Sequence, residues 1–468
     1  MLAPDIAEKL KTISGPKGWL GGPDTARYNE DPRGRVTGAA ELILRPDSAD
    51  KVSHILKTCN DTGTGIIPFG GGTGGANGHL DPCGRHVVLS LERMSRIRSV
   101  SASDSAITVE AGVKLCDIHA AADGIGRVFG LSLASEGSCT IGGNLASNAG
   151  GVRTLRYGNA RDLCLGIEAV MADGSVLSSL APLRKDNTGY DLRHLLIGSE
   201  GTLGIITAAT LKLSPATQSR DTLFCAVPSP GAALDLLNTL RDQLGEVVTA
   251  FELMSALGLS LALKHFPTLR DPFRDRHDWY VVADIAGPRA LSDWLEAALA
   301  QAFEAGLIKD AVVAASGAQA ADLWALRENA FEYNKLEGVL YSSDTSVPLG
   351  QIGDFIDRTA RDLAEWDSSL RANFYGHIGD GNIHVNVFAP ENARQVFLEH
   401  RPDAAARIAD IIDTATLDCD GSISAEHGIG RAKVDALKRH GDPVKLAMMR
   451  HIKQALDPNG ILNPGAVL

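Results

Sequence analysis

The feature that most restricts the fold is the position of the first glycine run. Residues 40–46 (Ala-Glu-Leu-Ile-Leu-Arg-Pro) read as a strand, Ser48 caps a helix running to about Asn60, and residues 65–69 read as a second strand. The run Gly70-Gly-Gly-Thr-Gly-Gly-Ala-Asn-Gly78 then leads through Pro82 into another strand from His86 to Leu91. Gly70, Gly72 and Gly75 satisfy the spacing G-x-G-x-x-G, but a dinucleotide fingerprint has to open a helix whose N-terminus takes the pyrophosphate. A loop that enters a strand cannot do this, so a Rossmann site is excluded. Successive glycines can still present backbone N–H groups as a nest for an anion.

Two more such segments follow, Ser135 to Gly151 and Gly198-Ser-Glu-Gly-Thr-Leu-Gly204, the second leading into a strand over Ile205–Leu213. Between them, Ile167–Met171 and Val176–Leu177 flank Asp173-Gly174 as a hairpin. Of 49 glycines, those at 70–78 and 137–151 are too concentrated for turns alone and point to backbone held close to a large ligand. The first 214 residues are expected to form one α+β unit. From Pro215 on, helical patterns at 231–244 and 291–305 alternate with strands such as Trp279–Ile285, as in a sheet with helices packed on one face. Asp442–Leu456 reads as a helix, closed by the turn Asp457-Pro-Asn-Gly460.

At 468 residues the chain should divide into two or three domains. A net charge of −12 without a dense Lys/Arg run offers no footprint for nucleic acid, so an anionic substrate needs a local cationic pocket. Seven dispersed cysteines without a Cys-x-x-Cys pair suggest reduced thiols in a cytoplasmic compartment and argue against an iron–sulfur cluster. The start of the chain lacks the apolar block of a signal peptide, and no run approaches a membrane span.

Chemistry concentrates in Gly376-His-Ile-Gly-Asp-Gly-Asn-Ile-His-Val-Asn386 and Ala425-Glu-His-Gly-Ile-Gly430. The glycines forbid a helix, so His377 should lie on a loop that enters a strand carrying His384 and Asn386 on one face. Two imidazoles and the Glu426 carboxylate make a three-ligand site suited to zinc or manganese, with His427 beside it as base. The alternative is that His427 ligates and Glu426 orients it. Arg327, in a helical pattern, is read as a bidentate clamp for a substrate carboxylate. Neither G-x-S-x-G nor H-E-x-x-H occurs.

Pro68-Phe-Gly-Gly-Gly-Thr-Gly-Gly, Gly137-Ser-Cys-Thr-Ile-Gly-Gly-Asn-Leu-Ala-Ser-Asn-Ala-Gly-Gly and Gly198-Ser-Glu-Gly-Thr-Leu-Gly-Ile-Ile-Thr resemble the FAD-binding elements of vanillyl-alcohol-oxidase-type flavoproteins, and the C-terminal half resembles their FAD-linked oxidase cap. Leu155-Arg-Tyr-Gly and Leu183-Arg-Lys-Asp-Asn-Thr-Gly-Tyr-Asp-Leu192 are similar to the D-2-hydroxyglutarate dehydrogenase branch, as is Asn386. The resemblance implies an α+β fold: an FAD-binding domain of two α+β subdomains over 1–214, a cap with an antiparallel sheet covered by helices over 215–425, and a segment 426–468 returning to the FAD domain. It implies a D-2-hydroxyacid dehydrogenase in which His377, His384 and Glu426 hold the metal, His427 is the base, and Arg327 and Asn386 hold substrate. Non-covalent FAD would be contacted by Pro68, Gly70, Gly71, Gly72, Thr73, Gly74 and Gly75, by Ser135, Gly137, Thr140, Gly143, Asn144, Ser147 and Asn148, and by Glu200, Gly204, Ile206 and Asn463.

One departure concerns the substrate. Where that branch would place a threonine and a lysine for the distal carboxylate, this chain has Phe331 and Ser342, resembling a D-lactate-type pocket. The expected partners are a small 2-hydroxy acid, an electron acceptor such as an electron-transfer flavoprotein, and a second copy of the chain in a homodimer. Two readings of another class are a metal-dependent hydrolase and a non-catalytic electron-transfer flavoprotein subunit.

Overall fold

The structure, a computed structural model, describes residues 2–468. The chain divides into two compact units, one of residues 1–150, 158–216 and 426–468, the other of 151–157 and 217–425. Among the described residues no helix is long and apolar enough to cross a membrane.

The first unit starts from the parallel core expected around the glycine run. Leu42–Leu44, Val87–Ser90 and Ile66–Phe69 are adjacent and parallel, with Trp19–Gly21 antiparallel on the outer edge. The helix Ala49–Thr62 is capped by the Ser48 hydroxyl, which accepts from the Lys51 N–H, and ends at Gly63 in the left-handed region. Its Val52, Ile55, Leu56 and Cys59 recur at helical spacing and pack with Val87 and Leu89 on one sheet face. Tyr28, Ile43, Ile67 and Val88 fill the other face. With both faces covered, these strands are apolar but for the buried Ser90, as is usual for parallel strands. A second, antiparallel sheet runs in the order Ile97–Ser101, Ala106–Glu110, Ile205–Pro215, Cys164–Val170, Val176–Ser179. The expected hairpin is its edge, with Val170 opposite Val176 and the turn at Gly174 (φ 84°). The chain's last residues join the first sheet: Ile66 donates to the Ile461 carbonyl at 2.7 Å, and Asn463 to the Ile66 carbonyl at 2.8 Å.

The second unit is built on an eight-stranded sheet whose pairings are all antiparallel, with the long strands Ser219–Val227, Trp279–Gly287, Val248–Ser255, Arg371–Gly376 and Asn382–Phe388 side by side. Helices cover both faces, not one. Alternate residues of a single strand divide between two cores: Leu223, Cys225 and Val227 pack with Leu236, Leu295, Phe355 and Ile408, whereas Phe224 and Ala226 pack with Leu259, Leu323 and Tyr333. The one-face expectation failed because stretches such as residues 223–227 and 279–283 are apolar without alternation, the pattern of a doubly covered sheet. Gly151–Tyr157, expected within the FAD-binding segment, belong to this unit; Arg156 of the short helix Thr154–Tyr157 donates to the Ala286 carbonyl at 2.5 Å.

Candidate active site

In the first unit, the Ile66–Phe69 strand ends at the carboxyl edge of the parallel sheet, where open α/β sheets bind ligands, and the glycine run begins there. The run lies against the second glycine segment, backbone to backbone. A Cβ on Gly71 would lie 2.4 Å from the Ser138 carbonyl oxygen, and one on Gly70 would lie 3.1 Å from the Gly143 Cα. Between them opens a cavity of about 1090 Å³, counting its open mouth.

Its walls include Pro68 from the strand, Gly70, Gly71, Gly72, Thr73 and Gly74 from the run, Thr140, Gly143, Asn144 and Ser147 from the second segment, and Glu200, Gly204, Ile206 and Asn463. Thr140 is the N-cap of Ile141–Ala146, a short helix hidden in the sequence by its paired glycines. Gly75, Ser135, Gly137 and Asn148 do not line the cavity. Gly75 backs onto the Arg33 guanidinium, and the Ser135 carbonyl turns the chain by accepting from Ser138 and Cys139, carrying Gly137 with it. Asn148 (φ 51°) is a structural bracket whose side chain accepts from the Arg161 N–H at 3.0 Å.

His427 stands on the wall of the same cavity. Its segment is held by Glu200, a non-glycine residue in the left-handed region (φ 51°) whose carboxylate accepts from the N–H groups of Ile429 and Gly430, each at 2.8 Å. Gly428 (φ 76°) permits this, since a Cβ there would meet the Glu200 carboxylate at 2.7 Å. Burial pushes the Glu200 carboxyl up, against those two N–H bonds. Arg33, which sequence reading missed, places Nη2 at 3.4 Å from both ring nitrogens of His427. No motif marks it, because it stands alone among loop residues far upstream.

In the second unit, the Asn382–Phe388 strand is buried along its length. Val385 and Val387 enter one core, while His384 and Asn386 take the opposite face, the alternation expected of a strand. A ligating nitrogen of His377 lies within 4.8 Å of one of His384, and the rings are nearly perpendicular at 77°. His384 Nδ1 is 3.3 Å from the Ser343 carbonyl, and His377 Nδ1 is 2.5 Å from a Glu252 carboxylate oxygen. With the proton on each Nδ1, the lone pair is at Nε2, as a metal ligand needs. This donor set fits a divalent cation. Glu426 opens the last segment of the first unit, immediately after Ala425.

Arg327 closes the helix Gly317–Glu328 and is buried, not on a solvated face. Its Nη2 is 2.7 Å from Glu252, and its guanidinium lies over the Tyr375 ring at 4.6 Å. The Tyr375 hydroxyl accepts from the Asn386 amide N–H at 2.9 Å, and the buried Asn386 Oδ1 has no hydrogen-bond partner. Ser342 is the register partner of Asn386. Phe331, on the next helix, is 50% exposed in this structure.

Glu252 is the main residue missing from the sequence reading. It is wholly buried in the Val248–Ser255 strand. Burial would push its carboxyl up, but the adjoining His377 and Arg327 outweigh that and hold it down at about 2. Its only trace in the sequence is one charge within an otherwise uncharged strand.

The family "FAD binding domain" matches residues 40–179, and "FAD linked oxidases, C-terminal domain" matches residues 216–467. A probable mitochondrial D-2-hydroxyglutarate dehydrogenase of Oryza sativa subsp. indica is 35% identical, covering 100% of this chain and 82% of its own. D-2-hydroxyglutarate dehydrogenase of Xanthomonas citri pv. viticola is 37% identical over 94% of this chain and 92% of its own. Among solved structures, p-cresol methylhydroxylase with substrate bound has a similar fold, with a TM-score of 0.76 at 17% identity over 99% of this chain and 96% of that one.

Proposed function

We infer, from the premise that this chain belongs to the FAD-linked oxidase family and is an FAD-dependent oxidoreductase acting on a CH–OH group, that it oxidises a D-2-hydroxy acid, D-2-hydroxyglutarate first, to the 2-oxo acid. The observation that carries this reading is that His427 stands on the wall of the glycine-lined cavity, which puts a proton acceptor beside the space for a flavin.

Bound FAD supplies a hydride acceptor, and the glycine backbone from 70 to 74 with Thr140 and Asn144 would hold it. A divalent metal on His377, His384 and Glu426, zinc or manganese, would lower the pKa of the substrate hydroxyl. Arg327 binds and orients the carboxylate, and Asn386, on the same strand face as His384, helps hold the substrate. His427 takes the hydroxyl proton as the α-hydrogen leaves. The electrons then pass to a protein acceptor such as an electron-transfer flavoprotein. A reducing, cytosol-like compartment suits seven cysteines that form no disulfide.

A second reading, a D-lactate or other monocarboxylate dehydrogenase, is favoured by Phe331 and Ser342, which offer no charge to a distal carboxylate. Anaerobic bleaching of the flavin by D-2-hydroxyglutarate, D-lactate and D-malate tests both readings. Fastest bleaching by D-2-hydroxyglutarate supports the first, and fastest bleaching by D-lactate the second. A flavin bleached by none of the three contradicts both.

A further inference from the structure

A wholly buried carboxylate is costly unless its partners need it, and Glu252 has two partners of different kinds. One oxygen faces His377 Nδ1 at 2.5 Å and the other faces Arg327 Nη2 at 2.7 Å, so a single anion joins a ligand imidazole to the substrate-binding guanidinium. The bond to His377 fixes the proton on Nδ1 and aims the ring. The pair with Arg327 cancels the charge that would attract a carboxylate. As a pair, the Glu252 carboxylate and the Arg327 guanidinium carry no net charge.

We propose that Glu252 is a positioning residue that makes carboxylate binding at Arg327 depend on the metal at His377. It holds the ligand ring in the metal-binding tautomer and withholds the positive charge of Arg327 from any anion until a cation restores it. The proposal rests on the reading of His377 as a metal ligand.

The test uses FAD-loaded full-length protein, stripped of metal or reloaded with zinc, and glutarate, which has the carboxylates but no oxidisable hydroxyl. In wild type, zinc should tighten glutarate binding at least tenfold by equilibrium dialysis. In Glu252→Gln, zinc affinity measured against a chelator should fall roughly 10- to 100-fold, the usual effect of losing an outer carboxylate. In the same variant, stripped protein should bind glutarate at least tenfold more tightly than stripped wild type. A residue that only supported the fold would weaken both ligands, so opposite changes are the signature. Unchanged zinc affinity in Glu252→Gln, or no gain in glutarate binding, overturns the proposal. Glu252→Asp keeps the charge and serves if the glutamine variant does not fold. It should bind zinc less tightly yet leave glutarate binding as weak as in stripped wild type, and a gain there overturns the proposal. Zinc bound equally by wild type and His377→Ala would overturn the underlying reading instead.

Discussion

The two units make their sites from opposite materials. In the first, the cavity is shaped by backbone: Gly70 and Gly71 pack closely against residues 138–143, and a methyl group on Gly71 would collide. In the second, the site is made of side chains, and its centre is a buried charge, Glu252, balanced between His377 and Arg327. A backbone site tolerates variation in side-chain charge but not added volume. A side-chain site has the reverse sensitivity, because it depends on each charge having its counterpart.

The largest effect should come from the residue that brings side-chain chemistry into the backbone cavity. His427→Ala should keep its FAD, since the cradle is made elsewhere, and lose flavin reduction by roughly 10²- to 10⁴-fold in anaerobic stopped flow. Loss of FAD along with activity would show that the cavity depends on side chains after all. Next comes Glu252→Ala, which breaks the buried ion pair with Arg327 and should cost about 3–5 kcal/mol by urea unfolding of the second unit. A cost under 1 kcal/mol would make that site as indifferent to charge as the first.

Gly71→Ala adds one methyl 2.4 Å from a carbonyl oxygen and should weaken FAD binding by an amount equivalent to roughly 1–3 kcal/mol, leaving unfolding of the second unit unchanged. The smallest effect concerns Glu337, whose carboxylate lies within 2.9 Å of Lys264 and His265 and 2.8 Å of Arg371. Burial alone would push its carboxyl up, but those three partners hold it at about 2 instead of the ordinary 4.5. A carboxyl depressed on folding lends stability that is fully present above pH 4.5 and is lost as the pH falls toward about 2. Wild-type protein should therefore lose melting temperature more steeply across that range than Glu337→Gln. The difference should be about 1 kcal/mol, because Lys264 is half exposed and screened by water.

The same contrast explains what could be read from sequence. The glycine cavity was legible because its parts are contiguous motifs, and the order strand, loop, strand at 66–90 already excluded a Rossmann turn. His384 and Asn386 were legible because a strand of period two places them on one face. Glu252 was not, since its partners lie far along the chain: His377 meets it through the strand order of the sheet and Arg327 through a helix packed on that sheet. Arg33 was hidden in the same way from His427. The helices on the second sheet face were missed because stretches such as residues 223–227 and 279–283 are apolar without the alternation that would have marked a face.

The most direct test of the account is anaerobic flavin bleaching by D-2-hydroxyglutarate before and after metal removal. The account predicts a protein that stays yellow through chelation with its FAD content unchanged, loses bleaching by its 2-hydroxy acid, and recovers it when zinc or manganese is restored. Bleaching at an undiminished rate after verified metal removal would contradict it.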